Sequence, residues 1–164
     1  MARLFIAAHL PDDVLDLVEA LARPDEAGVR YTTRGQWHVT LRFFGDADIA
    51  EATAALSTIE HEPVDVVLGP AVSKLGRFVV VIPVAGLDDL AAVVDAATGH
   101  VGEPPDPRPF NGHVTVARLK RRGACRIAGE PISARWTVGA IDLVRSFTEP
   151  DGARYEVVAT RPLG

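Results

Sequence analysis

The chain predicts an α+β fold of two pseudo-symmetric lobes, each mainly antiparallel sheet with helices packed outside, and a cleft between them. Three observations carry this expectation. His38-Val39-Thr40-Leu41 returns as His113-Val114-Thr115-Val116, 75 positions on in a chain of 164 residues, as a duplicated unit would. Most strand-like runs are joined by hairpin-length connections, which favours antiparallel pairing. Three stretches with helical apolar spacing are interspersed among the strands. A single bilobal domain over residues 1–164 is expected, since domains commonly run to about 100–150 residues.

Residues 3–9 read as a buried strand. Leu10-Pro11-Asp12-Asp13 opens the first helix, with proline in the first turn and carboxylates against the positive end of the dipole. Val14, Leu15, Val18 and Leu21 share one face, and Arg23-Pro24 ends it. A strand at 29–32 and a turn at Thr33-Arg34-Gly35 lead to the first repeated segment, a strand closing at Gly45. Asp46 is placed to cap the second helix, whose stripe is Ile49, Ala52, Leu56 and Ile59.

Strands follow at 64–68, 71–75 and 78–84. Gly69-Pro70 separates the first two, and Gly76-Arg77 makes a tight hairpin between the second and third. Gly86 introduces the third helix, with Leu87, Leu90, Val94, Ala97 and Val101 facing inward. The proline-rich stretch 103–109 is a stiff connector to the second repeated strand. Two long strands, 134–146 and 154–162, close the chain through Glu149-Pro150-Asp151-Gly152, a hairpin signal.

A net charge of −5 argues against a protein that coats long nucleic acid, though not against one that grips a single phosphate. Arg118, Lys120, Arg121, Arg122 and Arg126 crowd after the second histidine; Lys120 to Arg122 read as a solvated basic loop. The lone Cys125 allows no internal disulfide and, without a second thiol or an adjacent histidine, reads as an unreactive side chain. Nothing reads as a signal peptide, and no stretch approaches the roughly 20 apolar residues of a membrane helix. A cytoplasmic protein with no membrane partner is expected. There is no Gly-x-Ser-x-Gly elbow, which disfavours a serine hydrolase.

Alternation along a strand sends His38 and Thr40 to one face and Val39 and Leu41 to the other; His113 and Thr115 follow the same parity. Two imidazoles, with an ordinary pKa of about 6.5, can supply one proton acceptor and one proton donor near neutrality. Two hydroxyls can donate to oxygens on which charge builds. This is acid–base equipment for phosphate chemistry, though two equal motifs do not say which histidine is the acid. No metal-ligand spacing is present, and neither metal nor cofactor is expected.

Arg42 shares parity with His38 and Thr40 and is expected to add positive potential. Arg118 sits close to the second motif but has the opposite parity to His113, so it would reach the same face only through a bend or the strand's end. Trp37, Phe43 and Phe44 read as core. His61 and His100 lack any such context, whereas Phe5, Ala7 and His9 share a strand face that could border the cleft.

Together with Arg3-Leu4-Phe5-Ile6-Ala7, Phe43-Phe44-Gly45, Leu143-Val144-Arg145-Ser146 and the tail from Asp151 through Tyr155 to Leu163, these motifs resemble the 2H phosphoesterase superfamily. Within it, the chain is similar to the bacterial and archaeal RNA 2′,3′-cyclic phosphodiesterases, also called 2′-5′ RNA ligases. The resemblance implies metal-independent hydrolysis of RNA 2′,3′-cyclic phosphodiester ends to 2′-phosphomonoesters. It implies His38 as the donor to the O3′ leaving group and His113 as the base that activates water. Thr40 and Thr115 would hold the phosphate, and Arg118 would be a further substrate contact, stacking on the terminal base rather than holding phosphate.

The implied partner is an RNA with a 2′,3′-cyclic phosphate end, such as a transfer-RNA half, or a small cyclic nucleotide or ADP-ribose cyclic phosphate. A monomer is expected, because a pseudo-symmetric chain supplies both walls. A non-catalytic binder of 2′-phosphate or cyclic-phosphate ends would use the same site. So would reversible 2′-5′ ligation, with a 5′-hydroxyl in place of water. One departure stands out: the family usually has proline before the second histidine, where this chain has Asn111-Gly112. A glycine there predicts a looser resting position for His113.

Overall fold

The computed structural model describes residues 1–120 and 124–164, so most of the predicted basic loop, Arg121 and Arg122, lies outside the described residues. The elements are β1 (Ala2–His9), α1 (Asp12–Glu19), β2 (Val29–Tyr31), β3 (His38–Ala47), α2 (Ile49–Ser57), β4 (Val64–Leu68) and β5 (Ser73–Leu75). After them come β6 (Val79–Ala85), α3 (Asp88–Thr98), β7 (His113–Leu119), β8 (Ala134–Val138), β9 (Ala140–Glu149) and β10 (Gly152–Pro162). The predicted α+β class holds: a mostly antiparallel sheet curls into a half-barrel with three helices.

The strand order is β10-β9-β1-β3-β7-β6-β4-β8, with β2 also beside β7 and β5 beside β6. The duplication is visible in this path. The unit β1-α1-β3 pairs its two strands antiparallel, and so does β6-α3-β7. Each unit's trailing strand then changes sides. β4, which follows the first unit, pairs with β6 of the second; β9, which follows the second, pairs with β1 of the first.

Apolar patterning positions the helices as expected. Val14 and Val18 of α1, Ala52 and Leu56 of α2, and Leu90 and Val94 of α3 are all buried against the sheet. Three boundaries differ from expectation. α1 ends at Glu19, well before Pro24. The cap of α2 is Asp48, not Asp46: its carboxylate accepts the backbone N–H of Glu51 at 2.9 Å. The predicted strand 134–146 is two strands divided at Gly139, because β8 pairs with β4 in one lobe while β9 pairs with β1 and β10 in the other. Apolar alternation runs through this break, so periodicity alone could not place it. Among the described residues no helix is long and apolar enough to cross a membrane.

A candidate two-histidine active site

β3 and β7 lie side by side at the middle of the sheet path and meet at the pair Val39–Val114. Extending that antiparallel register by one residue sets His38 across from Thr115 and Thr40 across from His113. The valines point into the core, fully buried. Both His-x-Thr pairs face the other way, into one cleft of about 780 Å³.

Each motif strand then carries a β-bulge at the same offset. In β3, pairing with β1 passes from Thr40–Ala7 to Arg42–Ile6, leaving Leu41 unmatched. In β7, pairing with β6 passes from Thr115–Val81 to Ala117–Val80, leaving Val116 unmatched. One extra residue reverses the faces of the residues that follow, until in β3 a second bulge at Phe44, between the pairs Phe43–Phe5 and Gly45–Leu4, reverses them again. Leu41 and Arg42 are therefore both buried, as are Val116 and Ala117. Phe43 and Arg118 turn outward to line the cleft.

The bulges revise two expectations and explain a third. Arg42 does not share the face of His38. It is 3% exposed, and its guanidinium donates to the carbonyls of Phe43, Thr98, Val101 and Glu103 at 2.7–3.3 Å. It ties β3 to the segment after α3 and adds no free charge to the cleft. Phe43, expected in the core, is 40% exposed on the cleft wall, with Arg3 4.8 Å above its ring. Phe44 and Trp37 are buried as expected. The bend that Arg118 requires is the bulge at Val116.

The two imidazoles are anchored alike. His38 Nδ1 lies 2.9 Å from the carbonyl of Gln36, and His113 Nδ1 lies 2.7 Å from the carbonyl of Asn111. A carbonyl only accepts, so each Nδ1 carries the hydrogen and each Nε2 is left for chemistry. Their surroundings differ. His38 is stacked on Phe5 at 4.8 Å and met edge-on by Tyr155 at 5.1 Å, above a small apolar cluster of Phe5, Ala7 and Val144. This burial pushes its pKa down to about 4 against the opposing pull of the Gln36 carbonyl, and the neighbouring His9, His113 and Arg118 side chains disfavour a second charge there as well. Its Nε2 lies 2.9 Å from the Thr40 hydroxyl, which donates to it while the ring is neutral.

Gly112 serves close approach. The Val84 N–H donates to the Gly112 carbonyl at 2.9 Å, and a Cβ on Gly112 would stand 2.4 Å from the Val84 oxygen. The glycine lets β6 press against the strand entrance while the Asn111 carbonyl holds the ring of His113.

Sequence reasoning placed His38, Thr40, His113, Thr115 and Arg118 in one site, and the structure gathers all five in one cleft. It missed Tyr155, which the β9–β10 hairpin carries to His38, because a lone aromatic in a strand gives no signal. Arg3 and Arg30 also line the cleft and were missed. His9 borders His38, with ring centroids 6.5 Å apart, and its Nδ1 donates to Asp142 at 2.7 Å. Cys125 is buried. Among the described residues no group of three or more His, Cys, Asp or Glu side chains is placed to hold a metal ion.

A profile of the 2′-5′ RNA ligase superfamily matches residues 10–148. Among solved structures, the Thermus thermophilus protein TT0787 superposes with a TM-score of 0.81 at 28% identity, covering 98% of this chain and 97% of that one. A structure described only as a phosphoesterase gives 0.80 at 25% identity, over 99% and 98% of the two chains. E. coli LigT complexed with 3′-AMP gives 0.82 at 24% identity, also over 99% and 98%. No curated protein sequence matches this chain.

Proposed function

Because the chain belongs to the 2′-5′ RNA ligase superfamily, the 2H phosphoesterases, we propose that it hydrolyses RNA 2′,3′-cyclic phosphodiester ends to 2′-phosphomonoesters by two-histidine acid–base catalysis. One observation carries this reading: His38 and His113 stand in one cleft, each with Nδ1 fixed by a carbonyl, which leaves Nε2 as the nitrogen that exchanges a proton. The structures of E. coli LigT with 3′-AMP, NADP+ and ATP support a nucleotide as the kind of ligand.

In this reading the cyclic phosphate lies between the imidazoles. His113 Nε2 takes a proton from water, whose oxygen forms the new bond to phosphorus. The P–O3′ bond breaks opposite, and O3′ takes the proton held on His38 Nε2, leaving the phosphate on O2′. Thr40 and Thr115 donate to the non-bridging oxygens. By itself, burial keeps His38 neutral near pH 7. A cyclic phosphate brings one negative charge against it, which favours the protonated ring, so the acid is armed by its own substrate. Once His38 Nε2 carries hydrogen, the Thr40 hydroxyl no longer donates to it and is released to the phosphate.

The test uses two substrates. On an RNA ending in a 2′,3′-cyclic phosphate, His38→Ala and His113→Ala should each abolish most turnover, while a chelator leaves the wild type unchanged. On a phosphodiester with a 4-nitrophenolate leaving group, which needs no acid, His38→Ala should recover and His113→Ala should not. Wild-type rates in both variants would end the proposal. A cleft that binds the cyclic end and releases it unchanged would mark the chain as a binder of such ends.

A further inference from the structure

Beyond His113 the second lobe's wall of the cleft carries two arginines at paired positions of neighbouring strands. Arg30 of β2 lies directly opposite Arg118 of β7 in the antiparallel ladder, so both side chains rise from the same face. Both are exposed, and both line the cleft. Like charges placed opposite one another destabilise a sheet, and a neighbouring carboxylate would relieve the strain. Among the described residues neither arginine forms an ion pair. The one carboxylate on the cleft lining, Glu149, is instead bonded to Arg154 at 2.7 Å.

Arg30 also comes close to the opposite wall. Gly152, at φ +117, opens β10, and a Cβ there would stand 2.7 Å from Arg30 Nη2. The Arg30 side chain therefore reaches from β2 to the β9–β10 hairpin, and both line the cleft. Arg118 comes five positions after His113, about 16 Å of strand at roughly 3.3 Å per residue, less the bulge. Its long side chain can reach back over part of that distance. Two guanidinium forks on the same cleft lining as the histidines suit a second phosphate of the same nucleotide.

We propose that Arg30 and Arg118 form a second anion subsite, which takes the 5′-phosphate of the nucleoside whose cyclic phosphate lies between the two histidines. The inference rests on the reading of the histidine cleft as a phosphate site. It narrows the substrate class to ends that carry a 5′-phosphate, as every internal linkage of an RNA supplies, over free nucleoside cyclic phosphates. It also revises the sequence expectation for Arg118, which becomes a phosphate contact and not a stacking partner for a base.

Calorimetry with two product-like ligands, adenosine 2′-phosphate and adenosine 2′,5′-bisphosphate, tests the subsite without requiring turnover. The bisphosphate should bind about tenfold tighter or more at low ionic strength, with the margin shrinking as salt is added. Arg30→Gln and Arg118→Gln, each checked for native circular dichroism, should bring the two affinities together. Equal affinities in the wild type, or a margin that survives both substitutions, would overturn the subsite. So would an Arg118→Gln variant that weakens both ligands equally. A chain that turns over cyclic phosphates but shows no margin loses only the subsite; one with the margin but no turnover loses only the phosphodiesterase reading.

Discussion

At the bulge of β3, a guanidinium turns inward and a phenyl ring faces the cleft; at the bulge of β7, a methyl group turns inward and a guanidinium faces the cleft. Arg42 and Phe43 occupy in one lobe the positions that Ala117 and Arg118 occupy in the other. The histidines repeat the pattern. Their backbone anchors match, yet His38 lies between Phe5 and Tyr155, whereas among the described residues His113 has no aromatic neighbour within ring-contact distance. From the histidines through the first bulge the two backbones match and the chemistry does not. A duplicated site can thus supply two proton-transfer groups of opposite duty: identical scaffolding fixes where they stand, and unequal surroundings set when each is charged.

The sharpest way to break this comparison is at the imidazoles. His38→Ala and His113→Ala should each lower turnover of a cyclic-phosphate end by on the order of 10²–10⁴ while circular dichroism stays native. If only one histidine mattered, the lobes would not be partners in one reaction.

Next in size is the buried guanidinium. Arg42→Ala strands four carbonyl acceptors and should destabilise the fold by about 3 kcal/mol in urea titration, whereas Arg118→Ala should cost under about 1 kcal/mol. Equal losses would mean that the bulges do not separate the two arginines as described.

A subtler test concerns protons. With His38 near 4 when folded and about 6.5 when unfolded, the unfolded chain binds the extra proton between these values. The contribution of His38 to stability is therefore complete above about pH 6.5 and is lost as pH falls through 4. Tyr155→Ala, which opens the ring to water, should move the His38 resonance midpoint up from about 4 by NMR titration. At neutral pH, adenosine 2′-phosphate should bind with proton uptake, visible as a buffer-dependent heat, and His38→Ala should remove that uptake.

What could be read from the residues follows from where their information lies. Helices and the motif strands show through side-chain periodicity, and two His-Val-Thr segments at half-chain spacing placed the site. A bulge leaves no mark in composition: Leu41-Arg42-Phe43 alternates well enough to be read straight through, which is why Arg42 was assigned to the cleft and Phe43 to the core. Pairing partners are non-local, so neither the division at Gly139 nor the arrival of Tyr155 beside His38 could be seen from nearby residues. Arg30 is an ordinary exposed residue until β2 is known to lie against β7.

The exchange of β4 and β9 between the lobes bears on how the molecule comes apart. A chain cut in the turn after β5 would yield two fragments that each hold strands of the other's sheet: β2, β4 and β5 would be parted from β6, β7 and β8, and β9 and β10 from β1. Neither piece could bury its edge alone, yet mixing them should rebuild the intact sheet with both histidines in register. The pseudo-symmetric halves are therefore obligate complements, and a loss of order in either one unlocks both.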